Sequence, residues 1–297
     1  MLEVVQTSGA TKSYGATLAL ADVSLTIRQG EVVALLGPNG AGKTTFVSLI
    51  LGLRKPSSGS VKLFGLNPRD RHARTRTGVM LQESGVPDFL RVRELIDLFR
   101  TFYPRPLDRD AIARMAGIED KIDAMIVTLS GGQRQRLYFA LAMCGNPDAL
   151  LLDEPTVGMD VTARRGFWSV VRDLARSGRT VLLTTHYLEE ADAIASRIVV
   201  IDKGRIVADA SPDALKSRVE NKRVSFDAPG VPQLDGLPVH RVVKSGTRTT
   251  FLTSQPESVL RALFAAGAEM RNLEVVGATL EEAVMDLTAQ GSDERAG

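Results

Sequence analysis

The sequence predicts an α/β protein in which crossover helices cover a parallel β-sheet, followed by a small α+β unit. Short apolar runs alternate with segments of helical periodicity, which is the pattern of such a sheet. These runs lie at residues 31–36, 149–152, 180–183 and 198–201. The chain has 297 residues, of which 44% are hydrophobic, so it can bury the core of one large domain and of a second, smaller one.

The first part of the chain has the pattern of strand, glycine-rich loop and helix. Two β-type runs, residues 18–27 and 31–36, precede the loop. Beyond the loop, apolar residues recur at helical spacing; they are Phe46, Val47, Leu49, Ile50 and Leu53. We expect this helix to end before Pro56. Short strands are predicted at residues 61–64 and 78–81.

Helical periodicity continues from residue 89 to about 142, so we predict a helical subdomain inserted at about residues 83–145. The composition then becomes charged at residues 216–223. We therefore predict one domain over residues 1–217 and a small accessory domain over residues 218–297 with a frayed tail. The accessory domain is expected to contain strands at 224–226, 240–243, 249–252 and 273–276, and helices at 256–266 and 280–288.

Charge and cysteine content exclude several classes of protein. The 37 Lys and Arg residues against 35 Asp and Glu residues leave a net charge of +2, too little for a dedicated nucleic-acid binder or a polybasic membrane binder. Cys144 is the one cysteine, so no internal disulfide can form and a reducing compartment is expected. No apolar run approaches the roughly 18 to 20 residues of a membrane helix. We expect any attachment to a membrane to go through a partner.

The glycine-rich loop carries the first chemical motif. Residues 37–44 fit the pattern G-x-x-x-x-G-K-[ST] between an apolar strand and an amphipathic helix. Glycines let backbone N–H groups converge on one point, to which the helix N-terminus adds its positive dipole end. We expect Lys43 to reach the outer phosphates and Thr44 to ligate Mg²⁺. The predicted nucleotide-binding residues of this loop are Gly37, Pro38, Asn39, Gly40, Ala41, Gly42, Lys43, Thr44 and Thr45.

A second motif is the apolar strand that ends in Asp153 and Glu154. Two adjacent carboxylates at the end of a buried strand are costly unless they face a cation. We expect Asp153 to reach Mg²⁺ through its water shell and Glu154 to polarise the attacking water as a general base. Alone, an apolar run followed by two acids is typical of an ordinary strand end. Together with the phosphate loop, it indicates a nucleotide-binding site.

A third motif, Leu-Ser-Gly-Gly-Gln at residues 129–133, precedes another helix and forms a second anion-facing helix N-terminus. With these three motifs in this order, the sequence resembles the ATP-binding subunits of ABC transporters over residues 1 to about 217. The resemblance implies a P-loop NTPase fold: an ABC-type RecA-like core with an antiparallel β subdomain and a helical subdomain. The small C-terminal α+β appendage lies outside it.

The resemblance assigns roles to further positions. Tyr14 matches the aromatic residue that stacks on adenine, and His186 matches the switch histidine that contacts the γ-phosphate. Gln82 matches the glutamine that senses the metal and the attacking water, and Asp160 lies in the loop that communicates between paired subunits. The signature residues that would complete the nucleotide site of the other subunit are Ser130, Gly131, Gly132 and Gln133.

The resemblance also implies cofactors and partners. These are ATP and Mg²⁺, a second ATP-binding subunit in a homodimer around two ATP, and a separate transmembrane permease, with no nucleic acid and no other stable metal. The expected location is the cytoplasmic face of the membrane, peripheral through the permease. The apolar segment 89–103 would receive a helix of the permease, or forms the core of the helical subdomain. The arginine-rich stretch 69–76 would face the permease or lipid headgroups, or is a solvated helix or loop.

Within this family the sequence is most similar to drug- and antibiotic-export ATPases of the daunorubicin-resistance type, with which it shares motifs at 82–84, 92–95, 156–160, 204–208 and, loosely, 272–287. The predicted cargo is therefore a drug, antibiotic or other amphipathic compound, with lipid or polysaccharide as an alternative. A soluble ABC ATPase of translation or DNA repair would usually have tandem nucleotide domains or long heptads. A GTPase or small-molecule kinase would not explain the signature. A regulatory module would require residues 224–290 to bind a ligand.

Overall fold

The computed structural model describes residues 2–81, 85–217, 219, 221–228 and 236–293. The chain forms two compact units, Met1–Ala210 and Ser211–Gly297. The strands of the first unit are β1 (Glu3–Tyr14), β2 (Thr17–Arg28), β3 (Val32–Leu36), β4 (Ser58–Leu63), β5 (Thr77–Met80), β6 (Ala149–Asp153), β7 (Thr180–Thr184), β8 (Arg197–Asp202) and β9 (Arg205–Ala210). Its α-helices are α1 (Lys43–Ile50), α2 (Arg71–Thr75), α3 (Val92–Arg100), α4 (Arg109–Ala116), α5 (Gly131–Met143), α6 (Val161–Arg176) and α7 (Leu188–Ile194).

The main sheet of the first unit has the strand order β5-β6-β7-β3-β8-β9. The first five strands are parallel and β9 pairs antiparallel with β8. Every residue of β3, β6 and β7 is buried, as expected for central strands with helices on both faces. This confirms the predicted parallel sheet. Because the carboxyl ends of β3, β6 and β7 meet at one edge, the loops that follow them share a crevice.

A second, antiparallel sheet of this unit has the order β2-β1-β4. Strand β1 has no counterpart among the sequence predictions, and Tyr14, expected ahead of the first long strand, is its last residue. The pairing of β1 with β2 shifts register several times, once around Gly9, which has a φ of +59°. Such bulges interrupt the two-residue alternation by which a strand is identified in a sequence.

The predicted helical subdomain is formed by α3, α4 and α5, which lie between β5 and β6 and pack on one another. Phe139 of α5 meets Phe167 of α6 edge to face, with ring centroids 5.0 Å apart. Cys144, at the end of α5, is fully buried, and its burial raises the pKa of the thiol to about 12. A buried free cysteine of this kind packs as a small hydrophobic residue.

The second unit is a small α+β unit with a sheet of order β11-β12-β10-β13. Its elements are α8 (Pro212–Lys216), β10 (Lys222–Asp227), β11 (His240–Ser245), β12 (Arg248–Thr253), α9 (Pro256–Ala265), β13 (Arg271–Val276) and α10 (Leu280–Asp293). Val224, Phe226 and Phe251 form its core with Val259 and Leu263 of α9. Every strand and helix predicted after residue 223 is present. Helix α8 packs with α10, so this unit begins at Ser211, ahead of the predicted boundary.

Candidate functional site

The loop between β3 and α1 has backbone conformations that only glycine accepts without strain. Gly37 has a φ of +148°, and a Cβ there would lie 2.0 Å from the carbonyl oxygen of Ile201. Gly42 has a φ of +109°, and its Cβ would lie 2.6 Å from the carbonyl oxygen of Ala19. Side chains at either position would collide with backbone that cannot yield. The glycines are therefore required by the way the loop packs.

The same loop is fastened to two neighbouring elements. Gly204, in the turn between β8 and β9, donates its N–H to the carbonyl of Ala41 at 2.9 Å and accepts the N–H of Ala21 at 2.8 Å. Strand β2 is thereby held beside the loop. The β1–β2 hairpin carries Tyr14 at its tip, with 43% of the side chain exposed and the ammonium of Lys12 5.2 Å from the ring centroid.

Lys43, the first residue of α1, is buried and folds back over the loop. Its Nζ donates to the carbonyl oxygens of Gly37 at 2.7 Å and Pro38 at 3.1 Å. Burial lowers the pKa of Lys43, and the carboxylates of Glu154 and Asp153 oppose this shift. The structure therefore brings the predicted phosphate-binding cation close to both predicted acids.

Asp153 and Glu154 are organised by Thr184, the last residue of β7, which lies opposite Asp153 in the parallel pairing. The hydroxyl of Thr184 donates to Oδ1 of Asp153 and accepts the backbone N–H of Glu154 at 3.1 Å. A single hydroxyl thus fixes both acids. The sequence analysis does not identify Thr184; its signal is a threonine that ends a buried apolar strand and precedes His186 by two residues.

Glu154 is 9% exposed and has a φ of +51°, a left-handed conformation that is costly for a residue with a side chain. Its Oε1 lies 2.5 Å from Nε2 of His186, whose side chain is 49% exposed. A strained backbone persists only where the surroundings hold it, and such residues cluster at functional sites. A buried carboxylate beside a solvent-accessible imidazole can accept and pass on a proton.

The signature segment forms the N-terminus of α5. Ser130 caps the helix: its Oγ accepts the N–H of Gln133 at 3.3 Å, and its own N–H donates to Oε1 of Gln133 at 3.0 Å. Gly132 lies against the loop after β6, because a Cβ there would be 3.3 Å from the carbonyl oxygen of Gly158. Ser130 and Gly131 are exposed. The structure thus places the signature beside the loop that ends at Asp160.

Comparisons with known proteins bear on this arrangement. The sequence profile of the ABC transporter family matches residues 20–157. A Nod factor export ATP-binding protein I from Burkholderia orbicola (strain AU 1054) is 42% identical, with 69% of each chain aligned. Another protein of that name, from Rhizobium sp. (strain N33), is 34% identical over 96% of this chain and 97% of its own. The chain belongs to the ABC transporter family.

Solved structures agree with this assignment. The dimeric, post-hydrolysis state of an ATP-binding cassette bound to ADP and Pi has a TM-score of 0.65 and 27% identity, covering 70% of this chain and 98% of that one. A bacterial Atm1-family ABC exporter with ATP bound has a TM-score of 0.66 and 27% identity, covering 73% of this chain and 40% of that one. This ABC protein is an ATPase that uses ATP with Mg²⁺.

The oxygen donors of this ABC protein fit Mg²⁺. Thr44 lies exposed in the first turn of α1, which follows β3, and Asp153 ends β6 of the same sheet. A hydroxyl and a carboxylate are the hard ligands that Mg²⁺ takes, with substrate phosphates and water completing its shell. Among the described residues, no group of three or more histidine, cysteine or acidic side chains could hold a metal ion.

Asp160 is exposed and caps α6, with Oδ1 accepting the N–H of Ala163 at 2.8 Å. Exposed apolar side chains lie on each side of it, Val157 with 42% and Val161 with 62% of its surface accessible. Gln82 lies outside the described residues, so its assigned role stays a prediction. Thr45 is partly buried in α1.

The remaining predicted surfaces lie around α2 and α3. Helix α3 buries Val92, Leu95 and Ile96. The predicted apolar segment 89–103 also exposes Phe89 and Phe102, which are 75% and 59% accessible. The segment therefore contributes both to the core of the subdomain and to its surface. The arginine-rich stretch forms α2 and an adjoining cleft of about 280 Å³, lined by Arg69, Arg71, Arg74, Thr75, Phe102 and Tyr103. In the described part of the chain, no helix combines the length and the apolar character needed to cross a membrane.

Proposed function

We propose that Glu154 is the general base of ATP hydrolysis in this protein. Its side chain is buried, its backbone N–H is held by the hydroxyl of Thr184 at 3.1 Å, and its Oε1 lies 2.5 Å from Nε2 of His186. This contact is the observation that carries the proposal, because it pairs a proton acceptor with a group that can stabilise the accepted proton or pass it on. A base held in one orientation also avoids the entropic cost of being positioned during the reaction.

The other predicted site residues at this end of the main sheet would bind the substrate and its metal. Lys43 would exchange its two carbonyl partners for the outer phosphates, since its charge is buried and close to the acids. Thr44 and Asp153 would hold Mg²⁺, which would neutralise negative charge on the phosphates. Tyr14 would offer its exposed ring to adenine, and His186 would reach the γ-phosphate.

The signature would act on the nucleotide of a second copy. Ser130 and Gly131 are exposed, and Gly132 lies against Gly158, which is exposed in the loop before Asp160. Dimerisation is general among ATPases of this family. A homodimer would bring each signature to the phosphate loop of the other chain, so ATP would bind between the subunits and close them. Hydrolysis would then reopen the pair.

This ATPase would power export through a separate permease at the cytoplasmic face of the membrane. The support is the similarity to proteins named Nod factor export ATP-binding protein I, one of which aligns over 96% of this chain, the C-terminal unit included. The exposed side chains around α3 and the arginine-lined cleft would form the docking surface. The cargo would be chosen by the permease, and a drug, antibiotic or other amphipathic compound stays our prediction.

The test of the base is Glu154→Gln, which keeps the shape of the side chain and removes its basicity. We expect hydrolysis to fall about 100- to 10,000-fold, while ATP binding is retained and a closed dimer accumulates in size-exclusion chromatography with ATP. The matched control is Glu189→Gln, an exposed acid, which should hydrolyse ATP normally. Hydrolysis by Glu154→Gln at the wild-type rate would contradict the proposed role.

The test of the transport role is affinity capture of tagged Glu154→Gln protein from gently solubilised membranes with ATP, followed by mass spectrometry. A polytopic membrane protein in near-equal amount is the expected result, and it would provide the chain that selects the cargo. Recovery of ribosomal or DNA-repair components without a membrane protein would mean that the ATPase serves another process.

A further inference from the structure

Glu190, in helix α7, is a buried acid that lies beside the residues assigned to hydrolysis. It is 7% exposed. Its carboxylate accepts the hydroxyl of Thr156, 3.1 Å from each oxygen, and the hydroxyl of Thr185 at 3.0 Å. Nε of Arg164 lies 3.3 Å from its Oε1. A buried carboxylate is costly unless it is paired and hydrogen-bonded, and this one has a cation and two hydroxyl donors.

The partners of Glu190 lie on the two segments that meet at Glu154. Thr156 follows Glu154 by two residues and is 1% exposed, and Thr185 stands between Thr184 and His186 and is 5% exposed. Thr184 holds the backbone N–H of Glu154, and His186 contacts its carboxylate. Glu190 therefore fastens Thr185, which stands between Thr184 and His186, and Thr156, which lies in the loop that follows Glu154.

The third partner, Arg164, connects this cluster to the loop that carries Asp160. Arg164 lies in the first turns of α6, where its backbone N–H donates to the carbonyl of Asp160 at 2.9 Å. Its guanidinium stacks on the ring of Tyr187 with 4.0 Å to the centroid. The loop between Glu154 and Asp160 is thus held near both ends by one carboxylate.

We infer that Glu190 is a positioning residue that holds Glu154 and His186 in their reactive arrangement. The inference rests on the proposed role of Glu154 as base. The reason is the left-handed backbone of Glu154, with φ of +51°, which persists only while the surrounding structure holds it. Glu190 ties Thr156 on one side of this strained residue to Thr185 on the other. A buried charge with three partners tolerates little displacement, so both segments keep a fixed separation.

The test is Glu190→Gln, which keeps the size of the side chain but loses the charge and one acceptor oxygen. We expect kcat to fall about 10- to 100-fold, because displacements of about 1 Å in a catalytic group have effects of this size. We expect the KM for ATP to change less than about twofold, because the phosphate loop is untouched. The amount of ATP bound per chain should stay at the wild-type value. The matched control is Glu189→Gln, the exposed neighbour, which should leave kcat unchanged.

A second pair of variants keeps the test decisive if Glu190→Gln fails to fold. Thr185→Val keeps the shape of the side chain but removes the hydroxyl that donates to Glu190, and Thr185→Ser keeps that hydroxyl. We expect kcat to fall in the first and to be rescued in the second. A general loss of stability would not distinguish them in this way, because serine fills the site less well than valine.

The outcomes separate this inference from the function on which it rests. Wild-type kcat in Glu190→Gln, or a loss of kcat matched by an equal loss of ATP-binding capacity, overturns the positioning role. If Glu154→Gln hydrolyses ATP at the wild-type rate, the proposed base is wrong whatever Glu190→Gln does. In the double variant with Glu154→Gln, Glu190→Gln should add little further loss, because residues that act as a unit are not additive.

Discussion

Two helices of the first unit begin at glycine-containing segments, and they use their glycines differently. Before α1, Gly37 and Gly42 have positive φ values and no room for a Cβ. At the start of α5, Gly131 and Gly132 are helical, and a Cβ on Gly131 would be 4.0 Å from its nearest neighbour, the carbonyl oxygen of Gly158. The first glycines are required by the fold of the chain itself. The glycine at position 131 is not required in this way, and we expect the space beside it to be used by a molecule outside the chain.

The two segments also differ in the charged and polar groups that they carry. The start of α1 has the buried cation of Lys43, with the carboxylates of Asp153 and Glu154 close enough to act on its pKa. The start of α5 has the capping hydroxyl of Ser130 and meets the backbone of Gly158. The first segment carries the charges that we propose for catalysis, and the second carries an exposed, uncharged helix N-terminus. We therefore expect the two to be complementary halves contributed by different chains.

The largest effect is expected from the variants Lys43→Ala and Ser130→Arg, which each disable one of the two segments. Each variant alone should lose about 100- to 1000-fold in ATP hydrolysis, because each removes stabilisation of transition-state charge. In an equal mixture, half of the dimers contain one chain of each kind and have one intact site of two. The mixture should therefore recover about a quarter of the wild-type rate in a symmetric dimer, measured by phosphate release.

The unmixed variants provide the control for this rescue, since each homodimer has two defective sites. Hydrolysis by Ser130→Arg alone at the wild-type rate would mean that the signature is not part of the site. The difference between the two segments would then be unrelated to ATP hydrolysis.

A smaller effect is expected from Gly42→Ala, which tests whether the packing of the phosphate loop requires glycine. Its Cβ would lie 2.6 Å from the carbonyl oxygen of Ala19, so the free energy of unfolding should fall by about 2–3 kcal/mol from strain and overpacking. Gly30→Ala is the matched control, because Gly30 also has a positive φ, +83°, but nothing lies within 4 Å of its Cβ. It should lose about 1 kcal/mol. Equal losses in urea denaturation would contradict the packing argument.

The space at the start of α5 is tested by Gly131→Ala. Since the new methyl group meets no atom of the chain closer than 4.0 Å, the melting temperature should not fall. Hydrolysis should nevertheless drop about tenfold, because the methyl group would crowd a nucleotide that approaches the helix N-terminus. Wild-type hydrolysis in this variant would mean that the open space is not used.

The elements of the fold that sequence patterns identify are those with regular periodicity. The central strands β3, β6, β7 and β8 appear as apolar runs because both of their faces are buried. Strand β1 is missed because its pairing with β2 is interrupted by register shifts. The hairpin to β9 is also missed, although its turn, in which Lys203 and Gly204 both have positive φ, is a recognisable signal.

The site is predicted as far as its residues belong to contiguous motifs. Lys43, Asp153 and Glu154 come together because each lies at or beyond the carboxyl end of a parallel strand of the main sheet. Thr184 and Glu190 act through contacts to residues 30 and 34 positions away, and no local pattern distinguishes them from other threonines and glutamates. Their roles depend on which strand ends are neighbours, which is a property of the sheet order.

The smallest effect is expected from the ionisation of Cys144, and it tests whether the end of α5 is as buried as its beginning is exposed. Burial raises the pKa of Cys144 from 9.0 to about 12, so above pH 9 the unfolded chain loses a proton that the folded chain keeps. Stability is therefore fully present below pH 9 and is lost as the pH rises toward 12. Between pH 9 and pH 10 the loss from this thiol should be about 1 kcal/mol.

The measurement is urea denaturation of the wild type and Cys144→Ala at pH 8, 9 and 10. The alanine variant removes the thiol, and all other alkaline titrations are common to both proteins, so they cancel in the difference. Cavity formation lowers the stability of the variant by an amount independent of pH. The advantage of the wild type should therefore shrink between pH 9 and 10. A constant difference would mean that the thiol ionises in the folded protein, and that the end of α5 opens to solvent as readily as its beginning.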